Sequence, residues 1–208
     1  MPRNTVLVSC STQRYNTQRT MNDISLLAYA LLGLLQQEPR SGYDLRKIFA
    51  NTPMGTFSDS PGAIYPALER LEKRGFVRSR IEERSGLRRR RLFRPTASGI
   101  RAFKTWQTRT IVRKDVIHSV DELMLRFSFM DETANAADAR RFLKELKSEL
   151  GGGYIPALRK YQAKHSPNMP LSGRLALESG VRAYETLFRW AKAALSAYNK
   201  RKTGGARR

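Results

Sequence analysis

Apolar residues recur at helical spacing through most of the chain, interrupted by one stretch that is rich in arginine. Leu27, Leu31, Leu34 and Leu35 form a single stripe, predicting a first helix capped at Asn22 or Asp23 and running through Leu35. Pro39-Arg40-Ser41-Gly42 ends it and opens a second helix, GYDLRKIFANT, whose buried face is Leu45, Ile48 and Phe49. After a loop with Pro53 and Gly55, Ser60 caps a third helix. Pro61 sits in its first turn, where a missing N–H is harmless, and Gly75 stops it. Ile64, Leu68 and Leu71 face the core. Pro66 lacks the N–H that would bond the Gly62 carbonyl, so a slight kink or a frayed first turn is expected. Residues 76–83 and 89–94 read as hairpin strands joined through Ser85-Gly86. Thr96 caps a fourth helix that reaches about residue 111. Beyond a junction at 108–115 lie three more helical segments, at 117–130, 135 to about 164, and 171 to about 202. The middle one contains Gly151-Gly152-Gly153; each glycine costs about 1 kcal/mol in a helix interior, so a kink or break is expected there.

The last segment carries a regular seam. Leu177, Val181, Tyr184, Phe188, Ala191, Leu195 and Tyr198 fall at alternating steps of four and three, a heptad pattern. Such a seam serves a second chain or the preceding helix of the same chain equally well. The expected organisation is a leader at 1–22, a domain at 23–110, an α-helical domain at 111–202, and a tail at 203–208 without fixed structure.

Composition narrows the function. The 208 residues include 39 Lys and Arg against 18 Asp and Glu, a formal charge of +21, which calls for a polyanionic partner: DNA, RNA or an anionic membrane surface. With 40% hydrophobic residues the chain can build a packed core. Cys10 is the one cysteine, so neither a disulfide framework nor a cysteine-based zinc site forms within one chain, and a reducing, cytoplasmic setting is expected. No apolar run approaches the ~20 residues that a membrane span needs. The first twenty residues lack a signal-peptide core, and Met21 directly precedes the first strong helix. They read either as a dispensable leader or as a basic arm that reaches into a DNA groove. His118 and His165 stand far apart, and no HxxxH, CxxC, P-loop or GxSxG spacing occurs. The expectation is a non-enzyme with neither metal nor cofactor.

A short helix with a narrow apolar stripe, followed at once by an arginine-tipped ribbon, suits duplex DNA: the helix fits the major groove and the ribbon touches the adjacent backbone. Opposite the stripe of the third helix lie Gly62, Tyr65, Pro66, Glu69, Arg70 and Lys73. The helix N-terminus at Ser60 suits a phosphate. Tyr65 reads as a DNA contact or as packing against the first helix. Glu69 accepts from a cytosine amino group or pairs with Lys73 at i+4. Strand alternation divides Arg88, Arg89, Arg90 and Arg91 between the two faces, bringing about half within reach of phosphate. The fold class that follows is mainly α: a winged helix-turn-helix domain with a two-stranded wing, then an α-helical dimerisation domain. The expected DNA-binding set is Ser60, Gly62, Tyr65, Arg70, Lys73, Arg88, Arg89, Arg90 and Arg91. Where the seam serves a second chain, the expected dimer contact is Leu177, Val181, Tyr184, Phe188, Ala191 and Leu195. Trp106 and the later aromatics read as core.

LGLL (residues 32–35), SGYDL (41–45), SPGAIYPALERLEKRGFV (60–77), the arginine cluster and TASG with Trp106 seven residues beyond Gly99 resemble the PadR family of bacterial transcriptional regulators. The resemblance is specific over residues 24–106 and looser over LMLRFSF (123–129) and LALESGVRAYETLFRWAKAAL (175–195). It implies a homodimer with two winged helices on a palindromic operator, acting as a repressor, often under an aromatic or phenolic effector. The chain departs from the family pattern in its high charge, its triple glycine and Arg90-Arg91-Leu92-Phe93, where two adjacent aromatics are common. The charge also suits a rival reading, a largely non-specific architectural DNA-binding protein. An RNA-binding reading lacks a paired-aromatic RNP pattern and a GxxG loop.

Overall fold

The computed structural model describes residues 24–58, 60–82 and 90–204, with side chains through 201. The leader, the Ser85-Gly86 turn, Arg88, Arg89 and the last four residues lie outside the described residues. Two compact units result, one from the described residues up to Arg109 together with Val120–Ala139, the other from Thr110–Ser119 together with the described residues from Arg140 onward. The single cut expected near residue 110 is therefore interrupted by a twenty-residue return to the first unit.

The first unit is built around α1 (Leu26–Gln37), which packs on α3, α4, β3 and α7. Burial nearly all round explains its composition: Ala30, Leu31, Leu32 and Leu35 are sealed, not one stripe alone. Its cap is Ser25, whose hydroxyl accepts from the Ala28 N–H at 3.2 Å, and not Asn22 or Asp23. Three cap-competent residues within four positions cannot be ranked locally. Ser41 then opens α2 (Gly42–Ala50) through a reciprocal capping box with Asp44, and Leu45 and Phe49 are fully buried.

α3 (Pro61–Lys73) buries Ile64, Ala67, Leu68 and Leu71. It ends in a Schellman turn, with Gly75 N–H on Glu72 O, Phe76 N–H on Leu71 O, and Gly75 at φ +71°. Antiparallel strands β2 (Val77–Glu82) and β3 (Arg90–Pro95) form the expected hairpin. A third strand, β1 (Arg40–Ser41), pairs with β3, so the sheet order is β1-β3-β2 where two strands were expected. Two residues are too few to show alternation, and the Pro39–Gly42 turn chemistry masks them. α4 (Ala97–Gln107) starts at Thr96, whose hydroxyl accepts from Gly99 N–H. The Thr96 and Ser98 hydroxyls both donate to Gly75 O, tying the start of α4 to the end of α3.

The helix expected at 117–130 is three pieces: α5 (Arg113–His118), α6 (Val120–Ser128) and α7 (Met130–Thr133). Polar clips hold α6 and α7 to the end of α4. Arg126, fully buried, donates from Nε to Gln107 O at 3.0 Å and from Nη2 to Arg109 O. Trp106 Nε1 donates to Glu122 at 2.9 Å, and Thr133 Oγ1 to Gln107 Oε1 at 2.7 Å. Trp106 also stacks on Tyr29 with centroids 4.1 Å apart, and Phe129 meets Phe103 edge-on at 5.7 Å, so these aromatics are core, as expected.

In the second unit, α8 (Ala136–Glu149) passes into a π-helical segment (Leu150–Tyr154) and then α9 (Ile155–His165). The glycine triplet thus makes a π-bulge, one of the recognised ways in which a helix is bent. α10 (Leu171–Gly204) packs on α9 and the π segment. Among the described residues, no helix is long and apolar enough to cross a membrane.

Candidate nucleic-acid interface

The outward side of α3 is the one that the apolar stripe leaves. Gly62, Tyr65, Glu69, Arg70 and Lys73 are exposed, while Pro66 is half-buried. Ser60 occupies the N-cap position, but its hydroxyl makes no cap bond; its carbonyl accepts from Ala63 and Ile64 N–H at 3.0 and 3.1 Å. Tyr65 is 42% exposed and lays one ring edge on Gly42 at the head of α2. Glu69 and Lys73 are both exposed, and no ion pair between them is found among the described residues. Tyr65, Arg70 and Lys73 thus share one solvent-facing surface with the small residue Gly62.

The two described wing arginines of the expected set, Arg90 and Arg91, each meet a carboxylate. Arg90 Nη2 pairs with Asp44 Oδ2 of α2. Arg91 Nη2 pairs with Glu72 Oε2 of α3, its Nε donates to Ser79 Oγ at 2.9 Å, and its guanidinium lies 5.1 Å from the Phe93 ring centre. The Glu72 carboxylate also accepts from Ser79 N–H at 3.0 Å and from Ser79 O–H at 2.6 Å. One carboxylate therefore links the candidate reading helix to both strands of the wing. Alternation holds: Arg90 and Arg91 stand on opposite faces, and each face supplies a carboxylate.

Asp44 closes the other link. Burial alone pushes its carboxyl up, but the Ser41 hydroxyl and N–H and the Arg90 guanidinium outweigh it and hold the carboxyl below its ordinary value. Asp44 and Glu72 were not singled out from sequence, because their partners lie 46 and 19 residues away. Arg78 and Arg94 were not singled out from sequence either. They face each other across β2 and β3, a juxtaposition that only the hairpin register reveals.

The seam of α10 is spent within the chain. Leu177, Val181, Ala191 and Leu195 are buried inside the second unit, and Tyr184 and Phe188 are half-buried. Phe188 lies over Gly151, and Tyr184 meets Tyr154 edge-on at 4.7 Å. Burial and the Tyr154 hydroxyl push the Tyr184 phenol up to about 12.

Residues 31–105, the α1-to-α4 segment that presents this surface, match the model of the transcriptional regulator PadR-like family. Over this segment, about a third of its length, the chain is similar to that family. Across a longer span, the chain is 23% identical over 181 residues to the negative transcriptional regulator PadR of Bacillus subtilis, covering 84% of this chain and 98% of that one. It is 35% identical over 57 residues to the transcriptional regulator YqjI of Escherichia coli, 27% of this chain and 28% of that one. Similar solved structures include Bacillus subtilis PadR in complex with operator DNA (22% identity, 84% of this chain and 99% of that chain, TM-score 0.40). The same protein in complex with p-coumaric acid gives a TM-score of 0.39 at 22% identity over the same shares. A PadR-like transcriptional regulator from Bacillus cereus gives 0.38 at 24% identity, covering 86% and 99%.

Proposed function

We propose that this chain is a transcriptional regulator that binds duplex DNA as a homodimer on a palindromic operator, acting as a repressor in the cytoplasm. The observation that carries the reading is the shared exposure of Tyr65, Arg70 and Lys73 on α3, within the segment similar to the PadR-like family, beside a hairpin braced by Glu72. Within it, α3 enters the major groove, Arg70 and Tyr65 read bases, and Gly62, Lys73 and the Ser60 end of the helix approach phosphates. Arg88 and Arg89 extend the contact along the adjacent backbone. Since the Bacillus subtilis relative is a negative regulator with a p-coumaric acid complex, a flat aromatic acid is the effector to try first.

The charge of +21 favours a second reading, an architectural protein that coats DNA without sequence preference. Selection and sequencing of bound genomic fragments at physiological salt separates the two. One palindromic motif, bound at least ~10³-fold more tightly than random duplex, is the expected result for a regulator; a flat profile assigns the architectural role.

A further inference from the structure

The described wing arginines fall into two classes. Arg90 and Arg91 are each held by a carboxylate, from α2 and α3 respectively. Arg78 on β2 and Arg94 on β3 are directly opposite residues in the antiparallel ladder, both exposed, and among the described residues neither has a carboxylate partner. Residues directly opposite have Cβ atoms about 4.5–5.5 Å apart, and like charges there destabilise a sheet. Arg80, next along the same face, is also exposed, with a carboxylate neighbour among the described residues, Glu82, at 3.8 Å. On that face the wing base therefore concentrates positive charge that the fold does not neutralise, although it spends Asp44 and Glu72 on the neighbouring arginines.

We propose that Arg78 and Arg94 form a phosphate clamp on the DNA backbone at the base of the wing, with Arg90 and Arg91 as positioning residues that hold the hairpin. Two guanidinium forks side by side match the two non-bridging oxygens of a phosphodiester, or two successive phosphates. The anion supplies the counter-charge that the chain withholds. This inference rests on the DNA-binding reading above and adds to it a contact outside the α3 surface and the wing tip.

The test uses the full chain and a double variant, Arg78→Gln with Arg94→Gln. Its log–log salt slope on random duplex is expected to fall by roughly 0.9 where the two guanidiniums share one phosphodiester and by roughly 1.8 where they hold two successive phosphates, at about 0.9 for each lost phosphate contact. Its urea midpoint is expected to hold or rise, because a like-charge pair is removed. Arg78→Lys with Arg94→Lys should keep the wild-type slope. An unchanged slope in the glutamine variant overturns the clamp while leaving DNA binding intact. A glutamine variant that fails to fold overturns it too, by making the arginines structural. Inorganic phosphate replacing chloride at matched ionic strength should raise the thermal midpoint equally in the wild type and the glutamine variant, as an excluded salt does; a larger rise in the wild type marks a free-anion site instead and overturns the clamp. A wild-type chain that binds no duplex fails the functional reading itself, and the clamp with it.

Discussion

At the residue scale, few groups carry the geometry between helices and wing. Asp44 serves the Ser41 capping box and the Arg90 pair at once, so its charge supports both the start of α2 and the start of β3. Because its folded pKa is lowered, its contribution is present above its ordinary value of 3.8 and is lost as pH falls through the lower folded value. Urea midpoints measured from about pH 5 down to about pH 2 should therefore fall more steeply for the wild type than for Asp44→Asn. A variant with the same acid slope as the wild type would show that the carboxylate is not held in this way. Tyr184 works in the opposite direction: its raised pKa contributes stability below about pH 10, lost as pH rises towards about 12.

At the element scale, the triple glycine is two close contacts and one open position. A Cβ on Gly151 would stand 2.6 Å from Phe188 Cε2, and one on Gly153 would overlap the Arg113 guanidinium, which reaches Glu149 at 3.2 Å. A Cβ on Gly152 meets nothing within 4 Å. Gly152→Ala should therefore stabilise by about 0.4–1 kcal/mol, by removing freedom from the unfolded chain. Gly151→Ala should destabilise by about 1–3 kcal/mol, because the half-buried Phe188 ring must move off its packed position. Equal effects of the two in chemical denaturation would contradict this division.

At the scale of the whole molecule, assembly depends on which apolar surface remains once each unit has folded. Leu177 and Phe188 already pack within their own chain, whereas Leu171 and Leu175, one helical turn apart on α10, are 61% and 54% exposed. In sedimentation at micromolar concentration the wild type is expected to be a dimer. Leu171→Asp with Leu175→Asp should shift it towards monomer without loss of helical signal. Phe188→Asp should instead lower the unfolding midpoint. A Phe188→Asp chain that is monomeric yet fully stable would return the dimer contact to the heptad seam.

Local chemistry made much of this protein legible in the sequence. The period of the apolar residues set α1 to α4, the heptad steps marked the covered face of α10, and Pro61 and Gly75 bounded α3, because each acts through neighbours within a few positions. The exposed side of α3 followed from its buried stripe. Tertiary structure alone decided what depends on distant partners. Only sheet pairing turned Arg40 and Ser41 into a strand, and only register set Arg78 against Arg94. Carboxylates far along the chain took up Arg90 and Arg91, which sequence could count but not match. The return of α6 and α7 to the first unit rests on Arg126, Trp106 and Gln107 clasping across about twenty residues. Periodicity shows which face of a helix is covered; what covers it is a long-range contact, and no local pattern encodes that.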